Sequence, residues 1–152
     1  MDERTDWVEQ RTEAAREQQR RLLARQEAEH SRARAILAEF TATALEKLPT
    51  ERLMVKGYGG RGAARSDVEG WYLRLDRTVG LGADGEFYVL TAPLSVLDRV
   101  RGVKLTPSSP PLVIGAGGKD GDSIELVAAL ERLLPGWRTE EGLRRSRDGR
   151  GR

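Results

Sequence analysis

The spacing of apolar side chains divides this chain into a helical front and a mixed middle. Residues 6–48 contain no Gly or Pro, and Pro49 follows, so the pattern predicts one helix or two in tandem ending there. From Asp6 to about Arg32 the residues are mainly Glu, Arg, Gln and Ala, which are good helix formers. Pairs such as Glu13–Arg16, Glu17–Arg21 and Glu29–Arg32 each support an exposed helix by about 0.2–0.5 kcal/mol. Val8, Ala15, Leu22 and Ile36 keep a seven-residue spacing, interrupted by Glu29. The companion row, Arg11, Gln18 and Arg25, is polar. A coiled coil wants both rows apolar, so the pattern describes a solvated helix better than a coiled coil. From Ala33 the stripe broadens to Ile36, Leu37, Phe40, Ala44, Leu45 and Leu48, the face expected to dock on a core.

The middle of the chain alternates. Glycines at 57, 59, 60, 62 and 70 predict a flexible loop over 57–70. Trp71, Leu73 and Leu75 alternate with Tyr72 and Arg74 as a strand, a turn at Asp76-Arg77 leads to a short strand at 78–81, and Gly82-Ala83-Asp84-Gly85 reads as a hairpin turn before a strand at 86–91. A short helix is expected over 94–101, with Leu94, Leu97 and Val100 on one face and Gly102 as its cap. A strand is possible at 103–106, and an extended Pro-rich link, 107–111, precedes a buried strand at 112–114. After a glycine loop, Asp122 and Glu125 form a capping-box pattern for a last helix, 123–134, stopped by Pro135-Gly136. The fold class that follows is α+β: a small antiparallel β-meander packed by a C-terminal helix and the end of a long charged N-terminal helix. The expected organisation is a helical arm (1–48, with 33–48 docking), a core domain (49–137) and an Arg-rich tail (138–152) that reads as disordered.

Composition removes several functions. With 152 residues the chain holds one domain plus appendages. The absence of cysteine excludes disulfides, Cys-bound zinc and thiol catalysis. The charged start lacks an apolar leader and no run reaches the roughly 20 residues of a membrane span, so a cytoplasmic protein without membrane attachment is expected. Twenty-six basic against 24 acidic residues leave a net charge of +2, too mild to imply nucleic acid alone.

The candidate chemistry is correspondingly sparse. Gly115–Ser123 offers Gly117, Gly118, Lys119 and Ser123 as an anion cradle for a phosphorylated ligand before a helix N-terminus. It departs from a P-loop, since Asp120 stands where a Ser or Thr would meet magnesium, and a tight turn explains the same residues. Asp120, Asp122 and Glu125 are too few oxygen ligands for a calcium loop, so no metal and no cofactor is expected. Tyr58-Gly59-Gly60-Arg61-Gly62 with Arg65 has the composition of one RGG-type repeat, and Arg144, Arg145 and Arg147 add a basic segment; together they are candidate weak nucleic-acid contacts. His30, the sole histidine, lies in the polar helix far from any expected pocket, which speaks against a His-based catalytic residue. Trp7, a large aromatic on a polar helix, and Leu22 are candidate interaction residues. The reading that follows is a non-enzymatic accessory protein whose arm binds a protein partner or a second copy. Nucleic-acid association and phosphorylated-ligand binding at 115–123 are the alternatives.

Overall fold

A computed structural model describes residues 3–115 and 123–138 of the chain. It is an α+β fold with a long N-terminal helix, a five-stranded mixed sheet, a separate two-stranded sheet and a C-terminal helix. The first helix, α1, runs Glu3–Lys47 and buries only Ala33, Ile36, Leu37, Phe40, Thr41 and Ala44. The hydroxyl of Thr41 donates to the Leu37 carbonyl at 2.6 Å, which satisfies the one polar side chain on that buried face. Pro49 follows the helix, and its carbonyl accepts from Trp71 Nε1 at 3.1 Å, pinning the helix end to the sheet.

The sheet comprises β1 (Glu51–Gly57), β2 (Ala63–Tyr72), β3 (Val79–Gly82), β4 (Phe87–Val89) and β5 (Thr91–Ala92) in the order β4-β3-β2-β1-β5. The first four form antiparallel neighbours, whereas β5 lies parallel to β1. A largely meandering antiparallel sheet is therefore present, and its parallel edge makes it mixed.

The expected loop over 57–70 is corrected. Only residues 58–60 form a tight 3-10 turn, and residues 63–72 are the longest strand of the sheet. A bulge hid that strand from the alternation. Arg52 pairs with Glu69 and Met54 with Arg65, so a step of two on β1 matches a step of four on β2. Ala64 and Ser66 are buried before the bulge, Gly70 and Trp71 after it. Small inward residues and a broken parity remove the signal that a regular strand carries.

Helix α2 spans Val96–Arg101, begun by a capping box in which Ser95 and Asp98 exchange hydrogen bonds, and ended by Gly102 at φ 87°. Two of the residues expected on one face of it are solvent-exposed, Leu97 at 54% and Val100 at 78%. Strands β6 (Val113–Ile114) and β7 (Ile124–Glu125) pair antiparallel, and α3 runs Leu126–Leu133. The last helix thus starts three residues later than the capping-box pattern predicts. Glu125 is its N-cap without a side-chain hydrogen bond, because Ile124 and Glu125 are held in the β6–β7 ladder instead.

The main core joins α1 and α3 to the sheet. Phe40 is fully buried and stands edge-on to Trp71 and Trp137, with ring centroids 6.2 and 5.2 Å away. Leu37, Leu73, Leu81, Leu126 and Leu130 complete it. A second, smaller cluster gathers around Leu53, Tyr88 and Leu90.

Candidate functional site: an exposed arm and a basic groove

Residues 3–28 of α1 are exposed without exception. Contact with the core begins at Glu29, whose Oε1 accepts from the Leu112 amide at 3.1 Å. Next to it, Nδ1 of His30 lies 2.9 Å from the Pro110 carbonyl oxygen. The sole histidine, expected in the polar helix far from a pocket, is half-buried and tied to the core through this contact. Beyond this junction the arm projects about 39 Å. It carries Trp7 at 57% and Leu22 at 53% exposure, beside the equally exposed Val8 and Leu23. The Arg11 guanidinium sits 4.2 Å from the Trp7 ring centroid, a contact that steadies the ring within its own helix. Glu17 pairs with Arg20 and Arg21 at 3.1 and 3.4 Å, solvent-exposed bridges that stabilise the helix only slightly.

A second feature forms where α2 crosses β2. The Val103 amide donates to the Arg65 carbonyl at 2.8 Å, and the Leu105 amide to Asp67 Oδ1 at 2.9 Å. Gly102 permits this approach, since a Cβ at that position would stand 2.9 Å from the Arg65 carbonyl oxygen. The resulting groove, about 720 Å³ in volume, is lined by Arg52, Arg65, Arg99, Arg101 and Lys104 against a single carboxylate, Asp67. Arg52 is occupied, donating to the Ser66 carbonyl and to Glu69. Arg65, Arg99, Arg101 and Lys104 are exposed and form no ion pair among the described residues. Arg99 is folded against the backbone of Gly62, where a Cβ would come within 2.5 Å of its Nε.

Of the basic residues singled out in the sequence, Arg65 lines this groove and Arg61 does not, although both are exposed. Arg144, Arg145 and Arg147 lie outside the described residues, as do Gly117, Gly118 and Lys119. Ser123 is exposed and precedes β7, so the glycine segment joins two paired strands and does not lead directly into a helix N-terminus. Arg52, Arg99, Arg101 and Lys104 were not distinguished by sequence, because they come from three elements that only the fold brings together.

Two further polar arrangements are structural. Tyr88 donates to Asp84 at 2.6 Å, and burial, reinforced by that carboxylate, pushes the phenol well above its ordinary range. In the β2–β3 turn, burial raises the Asp76 carboxyl, but hydrogen bonds from Thr78 and the Arg74 guanidinium outweigh it and hold the group below the usual carboxylate range. Among the described residues, no group of three or more His, Cys, Asp or Glu side chains is placed to hold a metal ion, and no helix is long and apolar enough to cross a membrane. No protein family, curated protein or solved structure matches this chain.

Proposed function

We propose that this is a non-enzymatic interaction protein that associates with a second copy of itself through its helical arm. The observation that carries the reading is the exposed stretch 3–28, which bears a large aromatic and several aliphatic side chains on a helix without a packing partner among the described residues. An isolated helix is marginal in water, and pairing would stabilise it while covering those side chains.

The spacing favours a second copy running antiparallel. Val8 and Leu22 lie seven residues on either side of Ala15, and the row continues in register to buried Ile36. A two-fold axis at Ala15 sets Val8 against Leu22 of the second copy, Trp7 against Leu23, and Glu9 against Arg21. Residues 3–14 hold four acidic and two basic side chains, and the facing residues 16–27 hold two acidic and four basic, so antiparallel arms are complementary in charge. Glu13 then faces Glu17, whose charge is already balanced by Arg20 and Arg21 in its own helix. Arg11, Gln18 and Arg25 keep the seam narrow, so the association is weak, with a dissociation constant on the order of 10 μM or above.

Light scattering across a micromolar concentration series tests the reading. The average mass should rise with concentration, and Trp7→Ala or Leu22→Glu should suppress the rise. A strictly monomeric full-length chain at high micromolar concentration contradicts it.

A further inference from the structure

We infer that the groove between β2 and α2 binds the backbone of single-stranded nucleic acid, independently of the arm. The chain as a whole is nearly neutral, with a net charge of +2, yet this one concavity gathers five cations against one carboxylate. Four of the five are arginines, whose planar guanidinium both forks onto phosphate oxygens and stacks on bases. Such a local excess attracts a polyanion even where the net charge does not.

The form of the groove selects an extended ligand. It is open, and its buried polar side chain, Ser66, already donates its hydroxyl to the Leu53 carbonyl at 2.7 Å. No buried donor therefore remains there to fix a small phosphorylated molecule, whereas exposed guanidinium groups suit a backbone passing through. Tyr58, 63% exposed, opens the 58–60 turn, and Gly62, two residues beyond it, is the residue against which Arg99 is folded. An exposed aromatic ring at the turn and an arginine folded against the segment that follows it would supply the stacking platform and phosphate contact that single-strand binders combine. The bulge in β2 at residues 66–68 turns Ser66 and Asp67 into the groove wall and makes room for the 102–105 segment beside it.

Fluorescence anisotropy of the full-length chain with labelled oligothymidylate and oligouridylate of about 16 nucleotides, titrated over a salt series, tests the inference. Affinity should fall with salt, and Arg65→Gln with Arg99→Gln should lower the log–log slope by about 1.4, near 0.7 for each lost phosphate contact. That pair should also weaken binding at least tenfold, and Tyr58→Ala should weaken it several-fold with the slope unchanged. Arg101→Gln with Lys104→Gln repeats the test on residues outside the sheet, should the first pair unfold. Arg16→Gln with Arg32→Gln removes the same charge from α1 and should leave binding intact. The inference is overturned by a slope indifferent to the groove substitutions, by equal loss in the α1 variant, or by preference for duplex. It is equally overturned if the chain ignores oligonucleotides and binds anionic vesicles through Val96, Leu97 and Val100.

Discussion

Nδ1 of His30 lies 2.9 Å from the carbonyl oxygen of Pro110, and this contact marks where the helix stops being an arm and becomes part of the core. Together with the Glu29–Leu112 bond it ties the helix to the segment leading into β6. Removing residues 1–28 should therefore leave a cooperatively folding protein. Removing 1–48 takes Leu37, Phe40 and Ala44 out of the core and should give an aggregating chain. His30→Ala in the full-length protein should cost about 0.5–1.5 kcal/mol, the usual worth of one such hydrogen bond. Urea denaturation followed by circular dichroism measures all three.

The edge-on arrangement of Phe40 with Trp71 and Trp137 joins the arm's docked end to both the sheet and the chain beyond α3. Phe40→Ala should cost about 3–5 kcal/mol, enough to unfold a small domain near its stability limit. Leu75, 85% exposed, should tolerate alanine within about 0.5 kcal/mol. Comparable losses at the two positions would refute the placement of the core.

For α2, the capping residue matters more than the apolar ones. Ser95 accepts from the Asp98 amide at 3.1 Å while Asp98 accepts from the Ser95 amide at 2.9 Å. Ser95→Ala should cost about 0.5–2 kcal/mol. Leu97→Gln should be neutral within about 0.5 kcal/mol, since that side chain is largely solvated. Thermal unfolding of the two variants gives the opposite order if α2 buries its aliphatic face.

Asp76 adds a dependence on pH. Burial raises its carboxyl, but the hydrogen bonds from Thr78 and Arg74 outweigh burial and hold it below the usual carboxylate range. A depressed folded-state pKa contributes stability that is present above the unfolded value and is lost as pH falls through the folded one. Asp76→Asn should therefore destabilise at neutral pH, and its difference from the unsubstituted protein should shrink as the solution is acidified through the folded-state value. Denaturation curves for the pair at pH 7 and at pH 3 check the sign, and a difference that grows on acidification would reverse it.

The parts of this fold legible in the sequence are those carried by unbroken periodicity or by Pro and Gly. The end of α1 at Pro49, the turn at Asp84-Gly85 and the cap at Gly102 follow from residues that act alone. The residues of β2 do not act alone. Ala64, Ser66 and Gly70 are buried although they are small, and the bulge shifts the inward parity between them. At α3 the Asp122–Glu125 pattern lost to the pairing of Ile124 with Ile114, a tertiary contact that no local motif reports. The groove was half visible: Arg65 stood out beside its glycines, but its neighbours Arg99, Arg101 and Lys104 arrive through the Ser66–Val103 bridge. The exposed arm, by contrast, could be read from Trp7 and Leu22 on an otherwise polar helix.

The pairing of arms is tested most directly by single cysteines, because the chain has none of its own. A disulfide requires Cα atoms within about 7 Å. Antiparallel arms crossing at Ala15 meet that condition at residue 15, while the two copies of residue 5 lie about 30 Å apart along the helices. Under mild oxidation Ala15→Cys should give a covalent dimer in high yield and Thr5→Cys should remain monomeric. No covalent dimer from Ala15→Cys, or equal cross-linking at both positions, would contradict the antiparallel pairing.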